Sequence, residues 1–147
     1  MRVHLVRFVI ATVGVFVCDQ LTKAAALRWV PSSPGGGRSS AICLRVIWNR
    51  RPVAMHRAAA GVWLLVWAAV AATLALVSSL PGLPVAGSTG FALACGTAVG
   101  GAAGNLADFT RHGGVVDFVH LGRYPPFNLA DVAMVCGAVT AAVLWWS

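Results

Sequence analysis

Carboxylates are scarce in this chain of 147 residues. It contains no glutamate, and its four acidic residues are Asp19, Asp108, Asp117 and Asp131. A soluble domain spreads carboxylates over its surface for solvation, whereas all four lie in or beside apolar segments here. With 59% hydrophobic and only 10% charged residues, the composition excludes an ordinary soluble domain. It predicts a single integral membrane domain covering residues 1–147.

Paired metal-ligand and disulfide spacings are also missing. The four histidines form no spacing typical of a metal site, so we expect neither a metal nor another cofactor. The basic residues behind the net charge of +7 are interleaved with apolar spans, which indicates contact with lipid headgroups and no nucleic acid. The cysteines are far apart, so we interpret them as small core residues: Cys18, Cys43, Cys95 and Cys136.

Four apolar stretches are long enough to cross a bilayer. They predict an all-α integral membrane protein, a four-transmembrane-helix bundle with spans at about 5–26, 58–80, 85–107 and 127–146. Segments 28–57 and 109–126 then lie on one side of the membrane, and the β-prone stretch 41–48 predicts a short strand. Gly96, Gly100 and Gly104 predict a close-packing face of the third span, and we assign Trp63 and Trp67 of the second span to packing.

The arginine distribution bears on orientation. Six arginines lie between the first and second spans, whereas the N-terminus has only Arg2 and Arg7. Since basic residues usually mark the cytoplasmic side, this count alone predicts a cytoplasmic first loop. The N-terminus also has the pattern of a lipoprotein signal that ends at Cys18. Phe16 and Val17 stand where cleavage needs small residues, so we expect no cleavage there.

Polar residues inside the spans occur at helical spacings. Asp19 and Lys23 are separated by four positions, which favours a structural ion pair over a direct catalytic role. Asn-x-x-Asp occurs twice, at 105–108 and at 128–131, and each pair lies on one helical face near a span end. Helix capping alone would account for Asn128. It does not account for both pairs together with Asp117.

Paired carboxylates without a nucleophilic serine or cysteine indicate acid–base chemistry. Two close carboxylates share one proton, so the ionised member can activate water while the protonated member donates. Asp117, in an apolar Val-Val-Asp-Phe stretch, and Asp131, at the start of the fourth span, form the best pair. This predicts aspartic peptide hydrolysis at the membrane interface. A small proton-coupled carrier is the alternative from another class, although these aspartates lie towards one membrane face.

A set of motifs covers nearly the whole chain in order. It comprises Asp19–Lys23 (DQLTK), Asn49, Gly104–Asp108 (GNLAD), Val115–Phe118 (VVDF) and Phe127–Asp131 (FNLAD). Each motif alone is weak, but the ordered set is specific. It resembles the motifs of the bacterial lipoprotein signal peptidase (signal peptidase II) family.

The resemblance implies an inner-membrane aspartic endopeptidase that removes signal peptides from prolipoproteins by cutting before a diacylglyceryl-modified cysteine. Its implied site residues are a catalytic pair, Asp117 and Asp131, supporting residues Asn105, Asp108 and Asn128, the substrate-facing Asn49, and the ion pair Asp19–Lys23. It also implies cytoplasmic termini and an extracytoplasmic active site with a small β-cradle in the first loop. This orientation contradicts the arginine count, and we side with the resemblance. The implied partners are lipidated prolipoproteins and membrane lipids, with a monomeric enzyme.

Two departures from the family pattern stand out. Phe109 occupies the position after Asp108 where the family has arginine, and we expect Arg111 to restore the pairing with Asp108 from one turn on. Arg50-Arg51-Pro52 follows Asn49, where the family has glycine and small residues. A divergent paralogue that binds lipidated precursors without cutting them is therefore a second hypothesis.

Overall fold

A computed structural model describes residues 2–30, 42–49, 60–80, 83, 85, 87–122 and 124–147. Within these ranges the order is α1 (Arg2–Trp29), β1 (Ile42–Asn49), α2 (Ala60–Val77), α3 (Thr89–His112), β2 (Val115–Leu121) and α4 (Leu129–Trp146). Helices α1, α3 and α4 are long and apolar enough to cross a membrane, and α2 is a shorter apolar helix. The chain is therefore a mostly helical membrane protein with a small sheet. The Arg50-Arg51-Pro52 departure lies outside the described residues.

Helix α3 is the centre of the bundle, and glycines bring its neighbours close. A β-carbon on Gly100 would lie 2.5 Å from the carbonyl oxygen of Thr12 in α1. On another face, a β-carbon on Gly101 would lie 2.5 Å from the carbonyl oxygen of Ala130 in α4. Gly96 and Gly104 also abut α1, which confirms the predicted packing face.

The end of α3 differs from its predicted end near residue 107. Ser88 caps the helix at its start, accepting the Phe91 N–H at 3.2 Å. The helix continues to His112, and Gly113 then adopts the left-handed conformation, φ 70°, donating to the Phe109 carbonyl at 2.8 Å. The basic residues Arg111 and His112 lie in the last turn, where they suit the dipole of a helix C-terminus. Asp108 therefore lies one turn inside α3 and does not end it.

The β-cradle expected in the first loop requires a correction. Strand β1 does lie in that loop, but its antiparallel partner β2 lies in the segment after α3. A strand needs a partner for its backbone groups, and here the two connecting segments supply one strand each. Ile47 lies opposite Asp117, and Val46 and Val116 pack with Ala26 at the end of α1. The sheet thus lies against the end of α1.

The cysteine interpretation is right for Cys95, which is buried in α3. It is wrong for Cys18 and Cys136, which are exposed on α1 and α4. A thiol behaves as a small apolar group, so it is tolerated on the outer face of a membrane helix as well as in a core.

The packing of α3 against α1 predicts that Gly100→Ala lowers the melting temperature of the purified protein in detergent. Overpacking costs about 1–3 kcal/mol, which corresponds to a loss of about 2 °C or more in a chain of this length. Gly14→Ala in α1 is the matched control, because a β-carbon there meets nothing within 4 Å. Equal melting temperatures for the two variants would contradict this packing.

Candidate active site

Lys23 lies at the centre of a buried polar cluster where α1, α3, β2 and α4 meet. Its ammonium is 2.8 Å from Asp19 Oδ2 and 2.9 Å from Asp108 Oδ2. It also donates to Asn105 Oδ1 at 2.9 Å. The Lys23 side chain is only 3% exposed. A buried ammonium needs this degree of compensation, because removal from water costs several kcal/mol.

Both carboxylates that bind Lys23 also hold a backbone group of another element. Asp19 Oδ1 accepts the Ala130 N–H at 3.0 Å, which attaches α1 to the first turn of α4. Asp108 Oδ2 accepts the Val116 N–H at 3.2 Å, which attaches α3 to β2. The Lys23 cluster therefore fixes the positions of β2 and the start of α4, which carry Asp117 and Asp131.

Asp117 is buried, and two amides hold its carboxylate. Asn49 Nδ2 in β1 donates to Oδ2 at 3.1 Å, and Asn128 Nδ2 donates to Oδ1 at 2.9 Å. Burial is the main reason that the pKa of Asp117 rises to about 6, and the charge of Asp131 adds to the rise. The hydrogen bonds from Asn49 and Asn128 and the charge of Lys23 lower the pKa but do not cancel the effect.

Asp131 lies in the first turn of α4 and is half-buried. Its Oδ1 accepts Asn105 Nδ2 at 2.8 Å, and its Oδ2 accepts the Asn128 N–H at 3.0 Å. The Asn128 side-chain oxygen in turn accepts the Asp131 N–H at 3.0 Å, which completes a capping box. A carboxylate in this turn also suits the helix dipole.

Asn128 thus caps α4, as one interpretation of the sequence had it, and also joins the two aspartates. Its backbone N–H holds Asp131 while its side-chain amide holds Asp117. The same amide nitrogen lies 3.0 Å from Asn105 Oδ1. Each Asn-x-x-Asp pair therefore contributes to one continuous hydrogen-bond network.

The expectation that Arg111 pairs with Asp108 is wrong. Among the described residues, Asp108 forms its ion pair with Lys23, and its carboxylate faces the interior. Arg111 is exposed and donates to Gln20 Oε1 at 3.2 Å. Sequence reasoning missed Gln20, although a lone glutamine beside Asp19 in an apolar helix was a usable signal. Phe109 is buried.

An apolar cavity of about 400 Å³ lies between α2, α3, β2 and α4, and Asn105 is among its lining residues. Trp67 does pack, since its Nε1 donates to the Val99 carbonyl at 3.1 Å, and both Trp63 and Trp67 also line the cavity. The other lining residues are Val66, Val70, Ala102, Leu106, Phe109, Val115 and Met134. The cavity offers room for apolar side chains next to a residue that contacts Asp131.

Comparisons of the sequence with known proteins all indicate the same family. The sequence model described as Signal peptidase (SPase) II matches residues 11–146. A lipoprotein signal peptidase of Rhodococcus jostii (strain RHA1) is 40% identical over an alignment 149 positions long, which covers 96% of this chain and 72% of that protein. One of Anaplasma marginale (strain Florida) is 37% identical, over 89% of this chain and 79% of that protein.

Solved structures support the same fold. Two structures of a bacterial membrane enzyme superpose on 92% of this chain, with TM-scores of 0.69 and 0.70 and 18% sequence identity. The superpositions cover 85% of the first solved chain and 90% of the second. From the match over residues 11–146 and the two curated relatives, the chain belongs to the signal peptidase II family of membrane proteases.

Proposed function

We propose that this protein is an aspartic endopeptidase that removes signal peptides from prolipoproteins by cutting before the diacylglyceryl-modified cysteine. The observation that carries the proposal is that Asn128 binds both aspartates, Asp131 through its backbone N–H and Asp117 through its side chain. Two carboxylates held by one residue are placed to share a proton.

The two aspartates differ in a way that supports a division of roles. We assign the shared proton to Asp117, because burial raises its pKa to about 6. Asp131 lies in the first turn of α4, where the helix dipole suits a carboxylate, and its partial exposure gives water access to it. Asp131 therefore acts as the general base and Asp117 as the general acid.

The reaction then proceeds in two steps. Asp131 takes a proton from water, whose oxygen bonds to the scissile carbonyl carbon while Asp117 donates its proton to the carbonyl oxygen. When the tetrahedral intermediate collapses, the C–N bond breaks, and Asp131 returns its proton to the leaving amine. Asp117 recovers its proton from the hydroxyl of the intermediate as the new carboxyl group forms, so the pair regains its starting state.

The surrounding residues position this pair. Asn49 and Asn105 each donate to one catalytic carboxylate, and Asp108 fixes the backbone beside Asp117. Asp19 and Lys23 serve as a structural ion pair that joins α1 to α3 and α4. Because these groups are fixed before substrate binds, little reorganisation is needed during the reaction.

The apolar cavity is our candidate for the signal-peptide side of the scissile bond. Its walls suit the apolar side chains of a signal sequence, and Asn105, which lines it, donates to Asp131. A substrate anchored in the membrane by its acyl chains would reach this cavity within the bilayer.

We infer four spans, with α2 as the fourth. Its 18 residues extend about 27 Å, close to the hydrocarbon thickness of about 30 Å. A single peptidase domain, 1–147, then has both termini in the cytoplasm and its active site and β-cradle at the extracytoplasmic face of the inner membrane. Arginines on that side would contact anionic headgroups, which explains the unusual charge count. The enzyme is proposed to act as a monomer.

Asp117→Asn and Asp131→Asn should each reduce cleavage of a purified diacylglyceryl-modified precursor by at least about 100-fold, since each removes one acid–base group. Mass spectrometry of the products locates the cleaved bond, and precursor binding and melting temperature report whether the variants stay folded. Cleavage that persists in both variants would refute the paired mechanism. A wild-type protein that binds precursor without cutting it would instead support the non-cleaving paralogue.

The pH dependence should follow the protonated form of Asp117. Below a pH of about 6 Asp117 holds its proton, so kcat/KM should fall as the pH rises through the pKa of about 6. Bound peptide excludes water and increases burial, so the corresponding fall in kcat should lie at higher pH. Initial rates from pH 4.5 to 8.5 test this, and a rise in kcat/KM through pH 6 would instead make Asp117 the base.

Filling the cavity should impair substrate binding with the catalytic pair intact. Ala102→Phe places a ring among the cavity walls and should raise KM by about tenfold, the equivalent of about 1.4 kcal/mol of binding. Ala142→Phe, on the exposed surface of α4, is the matched control and should leave KM unchanged. An unchanged KM for Ala102→Phe would place the signal peptide elsewhere.

A further inference from the structure

Gln20 connects an exposed arginine with the buried carboxylates of the site. Its Nε2 donates to Asp19 Oδ2 at 3.2 Å and to Asp108 Oδ1 at 3.1 Å. At its other end, Oε1 accepts Arg111 Nη1 at 3.2 Å. The proposed reaction leaves both Gln20 and Arg111 without a role.

Arg111 and the two carboxylates favour the same orientation of the Gln20 amide. The two ends of an amide have nearly the same shape, so either could be directed at the carboxylates. If Oε1 faced Asp19 and Asp108, three acceptors would oppose one another. A guanidinium has only donors, so Arg111 requires the oxygen on its own side and reinforces the inward direction of Nε2.

The charges of the cluster make this orientation important. Asp19 and Asp108 bring two negative charges, and Lys23 brings one positive charge. The Gln20 amide adds a donor to each carboxylate, and its dipole has its positive end towards them. Solvent screens the charge of Arg111 itself, but its contact polarises the amide and strengthens the inner hydrogen bonds.

Both catalytic aspartates depend on the carboxylates that Gln20 holds. Asp108 fixes the Val116 N–H, which directly precedes Asp117. Lys23, placed between Asp19 and Asp108, holds Asn105, which donates to Asp131. A shift of the Asp108 carboxylate would therefore move groups next to both members of the pair.

We propose that Arg111 is a positioning residue for the peptidase reaction, acting through the Gln20 amide on the Asp19–Lys23–Asp108 cluster. This inference rests on the proposed function. It predicts an effect on kcat and none on KM. Gln20 contacts Asp19 and Asp108, Arg111 contacts Gln20, and neither residue lines the cavity.

A double-mutant cycle tests the proposal in the purified full-length protein, with kcat and KM measured separately on a diacylglyceryl-modified precursor. Arg111→Ala should lower kcat by about tenfold, since small displacements of catalytic groups are costly. KM and melting temperature should stay at the wild-type values. The double variant Arg111→Ala/Gln20→Ala should be no slower than Gln20→Ala alone.

Two conservative variants separate positioning from simple structural support. Arg111→Lys keeps a donor for Gln20 Oε1 and should recover most of kcat. Gln20→Glu keeps an acceptor for Arg111 but presents an oxygen to both carboxylates, so it should lower kcat at least as far as Gln20→Ala. Arg28→Ala is the matched control, because Arg28 is also an exposed arginine near the end of a helix. Its guanidinium lies over the ring of Trp29. The Arg28→Ala variant should match wild type.

Wild-type kcat in Arg111→Ala, additive effects in the cycle, or a kcat loss that only parallels a lower melting temperature would overturn the positioning role. Asp117→Asn in the same assay separates this failure from a failure of the proposed function. If Asp117→Asn is inactive and Arg111→Ala is normal, only the positioning role is lost. If Asp117→Asn cleaves as wild type does, the proposed reaction itself is refuted.

Discussion

Lys23 buries an ammonium group where α1, α3, β2 and α4 meet, and this burial governs how these elements are arranged. An uncompensated charge in this position would cost several kcal/mol, so Asp19 and Asp108 must both be close to it. Close approach of Asp19 in turn requires Gly104, where a β-carbon would collide with the Asp19 carboxylate. The same two carboxylates hold the backbone of β2 and of α4. Charge compensation and active-site geometry are therefore one arrangement.

The carboxylate and carboxamide side chains of this protein are concentrated in the hydrogen-bond network around Lys23. All four aspartates, all three asparagines, the single glutamine and the single lysine belong to the network. Polar groups are costly in a bilayer unless they are satisfied, so they persist where function needs them. Each asparagine supplies donors to a carboxylate, a role that arginine could fill only by adding more buried charge.

Helical spacing predicted the parts of this network that are local in sequence. The Asp19–Lys23 spacing predicted an ion pair, and the glycines of α3 predicted a packing face. Spacing could not show that Asp108 binds Val116, because that contact depends on how the chain turns at Gly113. Strand β2 was missed because a strand is defined by its partner, and the partner lies more than 60 residues away in sequence. Arg111 was assigned to Asp108 from proximity along α3, whereas a residue on α1 is its partner in space.

The proposed reaction requires that Asp117 and Asp131 interact closely enough to share a proton. Aspartate labelled with ¹³C at Cγ would give only four side-chain carboxyl signals in this chain, so Asp117 can be followed directly by NMR in bicelles. We expect Asp117 to titrate with a pKa of about 6, and we expect Asp131→Asn to lower this pKa while burial still keeps it above the ordinary value of 3.8. A titration of Asp117 near 3.8 in the wild type, or a midpoint that Asp131→Asn leaves unchanged, would contradict the sharing of a proton.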